Sequence, residues 1–176
     1  MSGLKKSDKC NIRIGKIEDG EEILHIQSTV IAEDEYLITV SEEFNNTLDQ
    51  QREWIQKLLE NEKENLIVAE IDGEVVGWIV FQSKNKKRLS HTGSFGMMIS
   101  KNFRGLGIGK MLLNELIGWA ENNSLIEKIS LGVFSTNHSA ISLYKSMGFV
   151  EEGRKIKEFK MDENEYIDDI LMYKLV

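Results

Sequence analysis

Three glycines at every second position, in the run Arg104-Gly105-Leu106-Gly107-Ile108-Gly109-Lys110, mark the stretch of this chain best suited to chemistry. Glycine leaves main-chain N–H groups uncovered. Such groups at a helix start, with about half a positive charge from the aligned peptide dipoles, make an anion site. Arg104 and Lys110 add formal positive charge. The same pattern also suits a plain tight turn packed closely between strand and helix. Two familiar phosphate loops are excluded by spacing. A P-loop has four residues between its glycines and then Lys-Ser/Thr, whereas Gly105 and Gly109 have three between them and Met111 follows Lys110. A dinucleotide fingerprint reads G-x-G-x-x-G near the first strand of a βαβ unit; here the order is G-x-G-x-G in mid-chain.

The elements that must position this loop follow from periodicity and turn chemistry. Residues 11–16 alternate polar and apolar and read as a strand, followed by a helix with Ile23, Ile26 and Val30 on one face. Thr47 and Gln50 form a capping box ahead of Trp54, Ile55, Leu58 and Leu59, which predicts a second helix. Residues 66–71 and 75–81 are strands joined by Asp72-Gly73, a strong hairpin signal. The basic run 84–88 is the next turn, and residues 92–100 return as a strand. After the glycine run, Ile108, Leu112, Leu116 and Trp119 recur at helical spacing. A strand at 127–134 and a helix at 137–146 follow, the helix closed by Gly148. Strands at 149–159 and 166–175 flank a polar turn at 162–164. Hairpins early and alternating helices late predict a mixed α/β sheet.

Length and composition predict one domain. The 176 residues include 41% hydrophobic side chains, and chains of about 150 residues bury roughly 70% of their unfolded surface. That domain is expected over residues 11–176, after an unstructured segment 1–10. A net charge of −7 excludes general nucleic-acid binding, which needs a basic footprint. No run of about 18 apolar residues is present to span a membrane. The lysines near the N-terminus have no apolar stretch behind them, so no signal peptide is expected. Cys10 alone allows no intramolecular disulfide and no cysteine-based zinc site, which suits a reducing cytoplasm. His25, His91 and His138 lack metal-ligand spacing, and no metal is expected.

Arg104 to Gly109 also fits the pattern Gln/Arg-x-x-Gly-x-Gly/Ala. One helix and one strand further on comes Asn137-x-x-Ala140-x-x-Leu143-Tyr144-x-x-x-Gly148-Phe149. With these two motifs in this order, the chain resembles the GNAT family of acetyl-CoA-dependent N-acyltransferases over roughly residues 11–176. The resemblance implies a sheet of about seven strands with four helices and transfer of an acetyl group from acetyl-CoA to a primary amine, by direct attack in a ternary complex.

Carried over by position, the resemblance puts the acetyl-CoA diphosphate on the main chain of Arg104, Gly105, Leu106, Gly107, Ile108, Gly109 and Lys110. The pantetheine arm would add to the edge of Met97, Met98 and Ile99 as a strand would, where a main-chain N–H would also polarise the thioester carbonyl. Met97 and Met98 equally suit core filling. Asn137 caps the short helix, and the resemblance gives it a further contact with the coenzyme. Tyr144 is the expected catalytic residue, since a phenol near pKa 10 can share or donate a proton to a leaving thiolate near 8.5.

Relatives acting on protein N-termini carry a glutamate where this chain has Gly132. Glu33, Glu35 and Asp168 are the replacement candidates for a base, and His91 is a candidate proton carrier or a solvated hairpin residue. The cluster Asp162, Glu163, Glu165, Asp168 and Asp169 reads either as steering for a cationic amine or as a solvated face. Cys10, outside both motifs, is not expected to carry an acyl group. The acceptor stays open between a small amine and a protein amine, and the oligomeric state between monomer and homodimer. A non-catalytic acyl-CoA sensor is the rival reading: Tyr144 favours the enzyme and Gly132 the sensor.

Overall fold

The computed structural model describes residues 9–176. Seven strands and four α-helices follow in the order β1 (Cys10–Ile14), α1 (Gly20–Ile31), α2 (Leu48–Leu59), β2 (Asn65–Ile71), β3 (Glu74–Ser83), β4 (Thr92–Ile99), α3 (Ile108–Glu121), β5 (Lys128–Phe134), α4 (His138–Ser146), β6 (Val150–Asp162) and β7 (Glu165–Leu175). They make the expected mixed α/β sheet, ordered β1-β2-β3-β4-β5-β7-β6. Of the segment expected to be unstructured, residues 1–8 lie outside those described. Cys10 differs from that expectation: it opens β1 opposite Ile71 and packs, half-buried, against the core.

Local chemistry explains the element ends. The Thr47–Gln50 capping box forms as expected: Gln50 N donates to Thr47 Oγ1 at 3.3 Å and Thr47 N to Gln50 Oε1 at 2.9 Å. Asp72 and Gly73 both take positive φ, 52° and 87°, as a two-residue hairpin turn requires. Gly148, at φ 87°, stands one residue past the C-cap Met147 of α4.

Two apolar layers sandwich the sheet. Leu112, Leu113 and Leu116 of α3 pack with Ile67, Ala69, Ile79 and Phe81 on one face. Ile23, Ile26, Ile55 and Leu58 of α1 and α2 pack with Leu66, Val68, Trp78 and Val80 on the other. Strand alternation divides β2 cleanly between them. In β3 a register shift opposite Ala69 and Glu70 leaves Val76 out of the pairing, so Val75 and Trp78 share one face.

All neighbouring strands run antiparallel except β4 and β5, which pair in parallel at Thr92↔Lys128, Gly93↔Ile129 and Ser94↔Ser130 only. Gly93 is at that junction, where a Cβ would collide with the Gln82 carbonyl oxygen and lie 2.5 Å from the Phe81 ring. Gly93→Ala is therefore expected to cost about 1–3 kcal/mol by overpacking, read as a lower urea midpoint at unchanged m-value.

Candidate active site

Beyond Ser94 and Ser130, β4 and β5 part. β4 stays bonded on its outer side to β3 as far as Ile99↔Gly77, and β5 to β7 as far as Phe134↔Asp169. Their facing edges are left without strand partners. Between them opens a cavity of about 830 Å³. Met97, Met98 and Ile99 line it from β4, and Leu131, Gly132, Val133 and Phe134 from β5. The methionine side chains pack into the two core layers, which leaves the main chain of β4 as the surface offered to a ligand.

The glycine run closes one end. Gly105 and Gly107 take φ 72° and 83°, a region that a side chain would strain. A Cβ at either would meet nothing within 4 Å, so their bare backbone faces open space. Gly107 is the N-cap of α3 and offers no side-chain cap. Met111 N donates to Gly107 O at 3.1 Å, so the N–H groups of Ile108, Gly109 and Lys110 precede the first intrahelical bond. Gly105, Gly107, Ile108, Gly109 and Lys110 all line the cavity. Leu106 does not; its side chain packs, half-buried, against the core.

Arg104 lines the cavity, but its charge is directed elsewhere. Its guanidinium donates to Glu33 Oε2 at 2.7 Å and Oε1 at 2.9 Å, and Nε donates to the Ile99 carbonyl at 2.9 Å. It ties the residues after α1 to the end of β4, whereas the sequence suggested a free cation beside an anion. Lys110 lines the cavity, exposed and in no ion pair among the described residues.

The short helix α4 supplies the opposite wall. Asn137 Oδ1 accepts from Ala140 N at 3.1 Å, the expected N-cap, and Asn137 also lines the cavity. Tyr144 lies edge-on to Phe95, with ring centroids 5.5 Å apart. Burial pushes its phenol up to about 12, so it stays protonated at neutral pH. Its hydroxyl makes no hydrogen bond to the described residues.

The acidic residues divide in a way that spacing alone did not show. Glu33 lines the cavity, but hydrogen bonds from Arg104 hold its carboxyl below the usual range, which makes it a poor base. Asp168 is outside the cavity: Oδ1 accepts from Lys157 N at 2.7 Å and Oδ2 from Arg154 at 3.4 Å. Those bonds hold a bulge in β6, where pairing skips from Lys155↔Asp169 to Phe159↔Ile167 and Lys157 takes φ 53°. The bulge brings Phe159 onto Phe134, stacked with centroids 4.3 Å apart. Asp162, Glu163 and Glu165 are exposed, while Asp169, only 7% exposed, faces the cavity. The sequence placed Asp169 only within an acidic cluster, without separating it from Asp168; Phe159 and the strip from Tyr36 to Thr39 escaped sequence reasoning, and Gly132 was the one hint that space near β5 mattered.

Other candidates fall away by position. His91 does not line the cavity, and its carbonyl accepts from Glu127 N at the far end of β4. Cys10 is on the edge strand β1, with its thiol pushed up by burial. No group of three or more metal-ligating side chains occurs among the described residues.

Residues 29–149 match the family model described as the acetyltransferase (GNAT) family. The chain is 31% identical over 122 residues, 69% of this chain and 75% of the relative, to the L-amino acid N-acetyltransferase AaaT of Escherichia coli. It is 37% identical over 92 residues to an N-alpha-acetyltransferase of Sulfurisphaera tokodaii, spanning 48% of this chain and 55% of that one. Among solved structures, an acetyltransferase of the GNAT family from Streptococcus pneumoniae superposes with a TM-score of 0.90 at 26% identity, covering 95% of this chain and 99% of the other.

The Glu33–Arg104 clamp has a pH signature. Because Glu33 titrates below its ordinary value in the folded chain, the clamp's contribution is present above the ordinary carboxylate pKa. It is lost as pH falls through the lowered one. Glu33→Gln is expected to lower stability by no more than about 1 kcal/mol at pH 7, the scale of exposed pairs, with the gap from wild type closing in acid when melting is followed against pH.

Proposed function

This chain belongs to the acetyltransferase (GNAT) family and is an N-acetyltransferase; we propose that it moves the acetyl group of acetyl-CoA to a primary amine held in the β4–β5 cleft. The observation that carries this reading is the parting of β4 and β5 directly beside bare glycine amides at the start of α3. A long, narrow ligand with a diphosphate at one end and amides along its arm matches both features. The chain's own groups fit that ligand: space without side chains at Gly105 and Gly107, and an unpaired strand edge at Met97, Met98 and Ile99.

In this reading the amides of Gly107, Ile108, Gly109 and Lys110, with the Lys110 ammonium, take the diphosphate. The β4 edge takes the arm, and Asn137 adds a contact from α4. When bound, acetyl-CoA supplies an activated thioester. Tyr144 stands on the wall where the sulfur would lie. With a phenol near 12 and a thiol near 8.5, outright loss of the Tyr144 proton is uphill. Its work is to hold that proton against the sulfur, and to pass it over as one from the acceptor nitrogen replaces it.

Glu35 and Asp169 both line the cleft and give it carboxylates, which suits a cationic amine. A sensor without turnover is the weaker reading, because Tyr144 keeps a free, protonated hydroxyl in the cleft. The proposal treats residues 11–176 as one catalytic domain, supported by a single sheet that uses strands from β1 to β7. A cytoplasmic location belongs to the same proposal, resting on the lone cysteine Cys10.

Two variants test the division of labour. Tyr144→Phe is expected to lower turnover about tenfold or more with acetyl-CoA affinity unchanged, and a wild-type rate would remove its acid role. Gly107→Glu places a bulky anion where the diphosphate would lie; calorimetry should find no acetyl-CoA binding, and normal affinity would count against the loop assignment.

A further inference from the structure

The wall of β5 lacks a side chain at Gly132, and something else fills the gap. A Cβ built on Gly132 would lie 2.7 Å from Asp169 Oδ1 and 3.2 Å from Oδ2. The antiparallel register explains this. Gly132 pairs with Leu171 and Phe134 with Asp169, so residues 132, 134 and 169 share a face of the sheet. The carboxyl from β7 therefore leans into the space that a side chain on β5 would have occupied. We propose that Asp169 is the residue that takes the proton from the acceptor amine, holding its nitrogen against β5 at the open side of the cleft. The proposal rests on the acetyltransfer reading above and names the base that reading leaves unassigned.

The surroundings suit the task. Asp169 lines the cavity shared with Tyr144, on the opposite wall from α4. Lys155 of β6 reaches it at 3.7 Å and is half exposed, and Lys155 in turn meets Glu158 at 3.2 Å. From β5 the Val133 N–H donates to it, and burial still leaves the carboxyl above its usual range. Glu33 and Glu35 line the same cavity from the segment after α1; Glu33 is neutralised by Arg104. A base lifted in this way is better matched to an ammonium than a solvated aspartate.

The proton count closes. The acceptor ammonium gives one proton to Asp169, which releases it to water past Lys155. The freed lone pair forms the N–C bond to the acetyl carbon as the C–S bond breaks. The nitrogen then sheds a second proton, which reaches the sulfur through Tyr144. The products are an amide, a thiol and one proton in solution.

Asp169→Asn keeps shape and removes the base, whereas Gly132→Ala keeps the base and displaces it. Both are compared with wild type in acetyl-CoA calorimetry, in an amine-panel acetylation assay across pH, and in thermal melts across pH without coenzyme. Both variants should bind acetyl-CoA normally and turn over about 10²-fold more slowly or worse. Wild type should show an acid limb in its pH profile, and Asp169→Asn should lose it. A raised folded pKa means that charging Asp169 costs stability as pH rises through that value. The Asp169→Asn variant should therefore melt above wild type at neutral pH and converge with it in acid. Wild-type turnover with an unshifted pH profile in Asp169→Asn overturns the assignment of Asp169. A wild-type chain that binds acetyl-CoA but acetylates no amine overturns the acetyltransfer reading, and this one with it.

Discussion

Main-chain N–H and C=O groups inside a sheet normally find partners on both sides, and leaving one buried and unmade costs about 1–3 kcal/mol. In this protein β4 and β5 keep three residue pairs and then separate, which exposes two strand edges in the middle of the sheet. Neither edge can turn back to close the gap. β4 is fixed on its outer side by β3 and β5 by β7. The edges must be met by water or by a ligand that carries its own row of polar groups. Everything else about the site depends on that opening.

What frames the cleft is arranged by charge. The chain is acidic overall, so the proposed anion site needs local dipoles that outweigh the global field, and the start of α3 supplies them. Arg104 contributes there by position rather than by free charge, because Glu33 pairs with its guanidinium and the Ile99 carbonyl takes its Nε–H. It fixes the loop to the end of β4. Glu35 and Asp169 also line the cleft. The cavity thus holds both bare amides and carboxylates, the two kinds of group that the proposed joining of an anionic donor to an amine requires.

The β6 bulge shows how the structure turns surface charge into site geometry. Asp168 accepts the Lys157 N–H, which stabilises a positive φ that costs a non-glycine residue energy. The displaced strand then lays Phe159 on Phe134. One residue along, Asp169 faces the opposite side of β7 and enters the cavity. Neighbouring aspartates have separate duties because a strand alternates its faces.

Local chemistry was readable from the sequence alone. The Thr47 and Asn137 caps, the Asp72-Gly73 turn, the glycine run before α3 and the position of Tyr144 within α4 each depend on residues a few places apart. Spacing along the chain determines spacing in space over such distances. Tertiary structure alone decided the partner of Arg104, the unmasking of β4 and the choice of Asp169 over Asp168. Each of these joins segments brought together by strand register, or by a register that stops. A one-residue slip between β5 and β7 would exchange the two aspartates, and no local pattern records that alignment.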